Sequence, residues 1–312
     1  MTPSPPHGVM FHHFHGGPHP AGQGSLSTQD LADMIDFLGR ERLLPARVWM
    51  ERAASGRLRP GELCLTFDDG LRCQWDIAYP VLKSLGLDAF WFVYTSPLEG
   101  TLERLELYRY FRTMRYPDVG DFYRAFDAVS SVGPDGTAVA TALADFEPTS
   151  YLKDFAFYTN ADRRFRFTRD QILGPERYAA VMDAMIAAEG FPTEGLAAKL
   201  WIDDEIVVRL HAEGHVIGLH SHTHPTQLCR LEPAAQEREY RNNSTHLARV
   251  IGRAPRAMSH PCNSYDSSTL ALLARLGVDF GFRANMAMAG RHGPLEHPRE
   301  DHANVLQSMR TS

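Results

Sequence analysis

The chain has 312 residues, 44% of them hydrophobic and 22% charged, with a formal net charge of −6. That is globular composition, with room for about two domains or one large barrel with an insertion. It excludes a disordered chain and a nucleic-acid binder acting through a basic surface, and no apolar run approaches the roughly 18 residues that span a bilayer.

In chain order, residues 8–14 read as a short strand, followed by a Gly/Pro loop. Ser27 opens a helix, with Asp30 three residues on as a capping partner and Leu31, Met34, Ile35 and Leu38 at helical spacing. Glu62 to Phe67 reads as a strand running into Asp68-Asp69-Gly70. A helix over about 73–85 is closed by Gly86, and Ala89 to Tyr94 is a continuous apolar strand, as expected of one covered on both faces. Strand, helix, strand with short links favours a parallel sheet. From about 101 to 195 the pattern turns helical and rich in Arg, Tyr and Phe, with a break at Ser131 to Gly136. The alternation then resumes: a helix at Asp203–Glu213, a strand at His215–Leu219, a long helix at Glu232–Ile251, a strand at Ala257–His260, a helix at Ser267–Leu276 and a strand at Val278–Arg283. The last 25 residues show no clear period.

The first basic residue is Arg40, so no charged leader is legible. The four cysteines (Cys64, Cys73, Cys229, Cys262) lack CxxC spacing. Both features read as a cytoplasmic protein with free thiols.

Of the 15 histidines, five lie between His7 and His19 and five between His211 and His224. Two segments carry the chemistry. Leu65-Thr66-Phe67-Asp68-Asp69-Gly70 puts two adjacent carboxylates at a strand's C-terminal end, where α/β proteins place their sites. Like charges at that separation call for a cation or for different roles, and Gly70 permits a sharp turn beneath them. A plain Asx turn is the bland alternative. The second segment is Gly218-Leu219-His220-Ser221-His222-Thr223-His224-Pro225. His220 and His224 are four apart, and Pro225 biases His224 away from helix, so this is a loop after a strand. A carboxylate and two imidazoles leave open positions on a metal such as zinc, the pattern of a hydrolytic site, and the leftover carboxylate suits a general base.

These two segments resemble the first two motifs of the polysaccharide deacetylases (NodB homology, carbohydrate esterase family 4). The resemblance covers about 8–100 and 200–285. It implies an α/β fold, a distorted (β/α)7 barrel of the NodB-homology type, built here from about 8–100 and 200–312 with a mostly helical insertion at about 101–195. It implies Asp68 as catalytic base, and Asp69, His220 and His224 as ligands of one divalent metal, zinc first, with cobalt or nickel following the same ligand logic. Ser221 matches the residue that braces the ligand loop, and His222 falls at a variable position. Ser259-His260-Pro261-Cys262-Asn263 aligns with the third motif. Pro261, Cys262 and His260 are then the substrate and oxyanion residues, with the Cys262 N–H as oxyanion donor. The motif's Arg is absent, and Arg283 and Arg299 are the candidates to replace it. The general acid has no clean match. His260, His297 and His302 are candidates, with His302 placed first.

The implied activity is metal-dependent hydrolysis of an N-acetyl (or O-acetyl) group on a sugar, in surface polysaccharide or glycan-precursor metabolism. The expected partner is a carbohydrate, nucleotide- or lipid-linked among the options, with no nucleic acid and no membrane span. The alternatives are a deformylase or other amide hydrolase on the same site, or a degenerate glycan-binding member without turnover. The insertion is expected to cover the cleft and select the substrate. Its aromatics (Tyr108, Tyr110, Phe111, Tyr116, Phe122, Tyr123) suit either sugar stacking or the insertion's own core. Its arginines, especially Arg163, Arg164, Arg166 and Arg169, suit a phosphate, an acidic sugar or a solvated face.

Overall fold

The computed structural model describes residues 4–132, 135–153, 158–287 and 293–311. The chain divides into two compact units, Met1–Glu103 with Ala197–Ser312, and Arg104–Leu196. Seven strands lie in the first: β1 (His7–Phe11), β2 (Leu63–Asp68), β3 (Phe90–Val93), β4 (Val216–Leu219), β5 (Ala257–Ser259), β6 (Phe280–Phe282) and β7 (Arg299–Asp301). The helices are α1 (Thr28–Leu38), α2 (Ala46–Ala54), α3 (Tyr79–Leu85), α4 (Arg104–Arg115), α5 (Val119–Val132), α6 (Gly136–Ala144) and α7 (Asn160–Phe167). There follow α8 (Gly174–Ala188), α9 (Leu196–Leu200), α10 (Asp204–Ala212), α11 (Pro233–Ile251), α12 (Ser267–Arg275) and α13 (His302–Thr311).

Every strand pairing is parallel, in the order β6-β5-β4-β3-β2-β1-β7. A bridge between Phe282 and His297, just ahead of β7, links the two edges and nearly closes a seven-stranded barrel of the NodB type. Short apolar strands with helical crossovers leave little other choice, because a parallel sheet is covered on both faces.

Register decides which side chains meet. Asp68 lies opposite Phe92, Phe92 opposite Gly218, and Ser259 opposite Phe282. Side chains alternate along a strand, so Cys64, Thr66 and Asp68 share one face of β2. Cys64 packs with Phe90, Phe92, Ala257, Phe280, Phe282 and Trp49 of α2 in a buried cluster. Gly8 lies opposite Arg299. A Cβ on Gly8 would stand 3.1 Å from Arg299 Cγ, from Phe282 and from Thr66. The missing side chain leaves the space that the fully buried Arg299 fills.

Most expected elements are present within a few residues, including the Ser27/Asp30 capping box on α1. The differences have physical reasons. β1 stops at Phe11, and Phe14 makes only an isolated bridge to Leu26. The helix expected over 73–85 begins as a π-helical turn, Gln74–Ala78. The helix α2 buries only Ala46 and Trp49, too few for a legible stripe. The stretch without a period contains both β7 and α13. A three-residue strand reading Arg-Glu-Asp carries no apolar alternation.

The second unit is helical. Of the aromatics named above, Tyr108, Tyr110, Phe111, Phe122 and Tyr123 are buried, and Tyr116 packs its ring against Phe111 and Phe122. The five buried rings belong to that unit's core, which leaves them no open face for sugar stacking. The expected break at 131–136 falls between α5 and α6, with Gly133 and Pro134 outside the described residues.

Candidate metal and catalytic site

The strand end that carries Asp68 turns abruptly. Asp69 has φ 77° and Gly70 φ 63°, left-handed values that glycine adopts freely and aspartate tolerates. The turn brings the Asp69 carboxylate under the loop that follows β4. There His220 Nε2 and His224 Nε2 each stand 3.3 Å from Asp69 Oδ1. The three ligand atoms lie within 4.8 Å of one another.

The loop is held in this shape. Ser221 and His224 have φ 63° and 53°, and Ser221 Oγ accepts the His224 N–H at 3.1 Å. Two residues of α11, one turn apart, clamp the rest. The buried Asn243 accepts the His220 N–H at 2.9 Å and donates to the Val93 carbonyl at 2.9 Å. Glu239 accepts the N–H groups of His222 and Thr223 at 2.9 and 2.8 Å. Neither residue stood out in the sequence, because a polar position on a long helix looks solvated. His222 lies outside the ligand trio: its Nδ1 meets Thr95 Oγ1 at 3.0 Å and its Nε2 faces Glu99.

These residues fit a divalent metal. His220 Nδ1 lies 2.9 Å from the Ser259 carbonyl, which can only accept, so Nδ1 carries the proton. In the neutral ring that a metal requires, the Nε2 lone pair would then face Asp69 Oδ1, a buried carboxylate oxygen. Two acceptors face each other across a gap that a cation satisfies. Burial drives His224 down to about 4, which keeps its imidazole neutral as a ligand needs. Burial pushes Asp69 up, but His224 and His220 outweigh it and hold the carboxyl well below its usual range. His220 is lowered by burial and raised further by Asp68 and Asp69.

Asp68 sits apart from the trio. Its two oxygens receive Arg299 Nη1 and Nη2 at 2.7 and 2.8 Å, and Ser259 Oγ donates to Oδ2 at 3.0 Å. Burial raises this carboxyl, but the Arg299 charge and hydrogen bonds, with His220, hold it below the ordinary range. Arg299, from β7, thus occupies the position for which the sequence offered Arg283 or Arg299. Arg283 instead directs Nη1 to Asn285 at 3.2 Å.

Three sequence candidates for the acid are elsewhere. His302 is buried at the start of α13 with both ring nitrogens on backbone carbonyls, Met10 at 3.2 Å and Gly24 at 2.8 Å. That geometry leaves it no nitrogen for a substrate, which corrects its placing as the acid. His297 packs edge-on to Trp49 and against Phe280 in the aromatic cluster. His260 is buried, pushed down to about 3 by that burial, stacked on Tyr265 and bonded through Nε2 to the Leu295 carbonyl. It is a packing residue, not a substrate contact. The imidazole that does meet the site is His12, one residue past β1. Its Nε2 stands 4.0 Å from Asp68 Oδ2, and its side chain is 29% exposed. The register makes this unavoidable: Phe11 is opposite Phe67, so the next pair is His12 and Asp68. The signal lay in the opening His-rich stretch.

Pro261 is buried after β5, and Cys262 is exposed with φ 49°. Asn263 has φ 55°, and its Oδ1 accepts the Ala284 N–H at 2.9 Å.

The polysaccharide deacetylase family model matches residues 171–281, a span that includes the His220–Pro225 loop. The chain resembles the polysaccharide deacetylases in sequence and in fold. Among solved structures, it is similar to the Streptococcus pyogenes deacetylase PplD in complex with acetate, at 16% identity and a TM-score of 0.56, over 99% of each chain. It is similar to a de-N-acetylase from Aggregatibacter actinomycetemcomitans at 12% identity and a TM-score of 0.54, covering 94% of this chain and 93% of that one. It is similar to IcaB from Ammonifex degensii at 14% identity and a TM-score of 0.52, covering 95% and 88%. No curated protein matches the chain. Against this deacetylase-like frame, the arginine beside the first motif's Asp68 comes from β7, far along the chain.

Proposed function

We propose that the chain is a metal-dependent hydrolase that removes an N-acetyl group from a sugar. The observation that carries this reading is the pairing of two carboxylates in different settings. Asp69 faces His220 Nε2 and His224 Nε2, while Asp68 is gripped by Arg299. Asp69, His220 and His224 would hold a divalent metal, zinc by the donor set, which would supply Lewis acidity at the acyl carbonyl.

The chain's own residues do the rest. Asp68, ionised and fixed by Arg299 and Ser259, takes a proton from the attacking water. The water oxygen bonds to the acyl carbon, and the carbonyl oxygen becomes an oxyanion. We assign the Cys262 N–H as its donor from the left-handed loop after β5. The C–N bond then breaks, and His12 Nε2 donates the proton that the leaving amine needs. Acetate and an amino sugar result.

No helix among the described residues is long and apolar enough to cross a membrane. The non-catalytic reading rests on the missing third-motif Arg and the unmatched acid; the Arg299–Asp68 pair and His12 beside Asp68 favour the catalytic one. The test combines elemental analysis with acetate release from a panel of N-acetyl sugars, free and nucleotide-linked. One divalent metal per chain and acetate release abolished in Asp68→Asn are expected. A metal-free protein with no acetate release from any member overturns the proposal.

A further inference from the structure

The loop that carries His220 and His224 bends through two left-handed residues, Ser221 and His224. Such conformations persist in non-glycine residues only where the surroundings over-determine them. His222 lies between the two, and part of its hold comes from the turn that follows β3. Its carbonyl accepts the N–H groups of Thr95 and Ser96 at 3.2 and 3.0 Å. Its Nδ1 meets Thr95 Oγ1 at 3.0 Å, and Thr95 Oγ1 also accepts from Asn243 Nδ2 at 3.3 Å. The turn after β3 is thus a wall against which His222 rests.

That wall is tied down in its own right. The N–H groups of Leu98 and Glu99 donate to the Thr95 and Ser96 carbonyls, each at 3.1 Å. Glu99 Oε2 faces His222 Nε2 at 3.9 Å, and Glu99 Oε1 meets His246 Nδ1 at 3.0 Å. His246 Nε2 meets Asp204 Oδ1, at the start of α10, at 2.7 Å. Arg249 donates to the second Asp204 oxygen at 2.9 Å. Both ring nitrogens of the buried His246 are therefore taken by carboxylates from two different elements, and hydrogen bonds of this charge-assisted kind are the strong ones. Glu99 by itself is a half-exposed side chain whose ion pairs count for little. A buried imidazole bonded at both ends gives it a fixed place. His246 shares one face of α11 with Glu239 and Asn243, since the three are four and then three residues apart. Glu239 and Asn243 hold the ligand loop by its backbone, and His246 holds the wall behind it.

We propose that Glu99 and His246 are positioning residues of the metal site, acting through His222 to set how His220 and His224 present their nitrogens. The proposal rests on the metal reading above. Neither residue belongs to the ligand trio, and the test reads metal affinity and geometry rather than turnover.

The experiment loads the full chain with zinc, read by competition with a chromophoric chelator, and with cobalt(II), read by its visible absorption. Wild type is expected to bind both. Glu99→Ala is expected to weaken zinc about tenfold and to shift the cobalt bands. Glu99→Gln, which keeps an oxygen for His246, is expected to fall between the two. His246→Leu is expected to act in the same direction as Glu99→Ala. The Glu99→Ala/His246→Leu double variant is expected to be no weaker than the weaker single variant, because both act through one link. Arg241→Gln, which removes an exposed pair with Glu237 on α11, is the control and is expected to change neither reading. Glu99 is half-exposed, so its variants give an answer even where His246→Leu fails to fold. A lowered unfolding midpoint in Glu99→Ala with wild-type zinc affinity and cobalt spectrum overturns the proposal, as do losses that add in the double variant. Those outcomes leave the metal reading standing, whereas a wild type that binds neither metal overturns both.

Discussion

Arg299 and Asp68 form a two-pronged ion pair in the barrel, Nη1 on Oδ1 at 2.7 Å and Nη2 on Oδ2 at 2.8 Å, although 231 residues separate them. Arg299 Nη2 also donates to Ser259 Oγ at 2.6 Å, and Nε to the Arg283 carbonyl at 2.9 Å. The guanidinium therefore fixes the carboxylate while its remaining bonds fix the guanidinium. Removing one partner of such a buried pair strands a charge, at about 3–5 kcal/mol. Arg299→Met is expected to destabilise on that scale, measured by urea unfolding. Arg299→Lys keeps the charge but loses the fork, and is expected to fold and lower kcat more than it changes KM.

His12 and His302 separate cleanly by mutation. His12→Gln is expected to retain metal and fold while kcat drops by about 10² to 10⁴, the scale of losing a proton donor. His302→Gln is expected to lower the unfolding midpoint, because it disturbs buried bonds to Met10 and Gly24, and to leave kcat near wild type in the folded fraction. The reverse pattern would restore His302 as the acid.

Metal removal is a thermodynamic test. A ligand bound only by the native state raises stability with its concentration. Adding zinc to chelator-stripped protein is expected to raise the thermal midpoint of wild type and of Asp68→Asn. The midpoints of Asp69→Ala and His220→Ala are expected not to respond.

The clamp from α11 predicts a loss without any ligand being touched. Asn243→Ala frees the His220 N–H and the Val93 carbonyl, so the ligand loop loses its anchor. Metal affinity, measured by competition with a chromophoric chelator, is expected to weaken about 10- to 100-fold. Unchanged affinity would show that the loop holds its own shape.

Glu213 gives a pH signature in stability. It accepts from Tyr79 Oη at 2.5 Å, with Arg209 and Lys83 nearby, and these hold it at about 2, below the ordinary 4.5. Its folded value is depressed, so its contribution is present above about 4.5 and is lost as pH falls towards 2. The group is solvent-screened, so the effect is expected to stay below about 1 kcal/mol. Glu213→Gln should flatten the wild-type dependence in that window, read from unfolding midpoints.

The sequence by itself determined the parallel strands, their helical crossovers and the His220/His224 pair on one loop, while Asp69 as their partner came from the family resemblance. Those features are local: an apolar run of four to six residues is a strand wherever it lies, and two histidines four apart at a strand end share one loop. Tertiary structure decided what surrounds Asp68. Arg299 sits on a strand of three residues with no apolar pattern. It reaches Asp68 because β7 pairs with β1 and Gly8 leaves it room. His12 became a site residue because the β1–β2 register continues one pair beyond the strand, and His302 ceased to be one because the turn into α13 buries it. Glu239 and Asn243 are polar residues on a long helix until the loop docks on them. Such partners are chosen by register and by space inside the barrel, and neither is written in the spacing of residues along the chain.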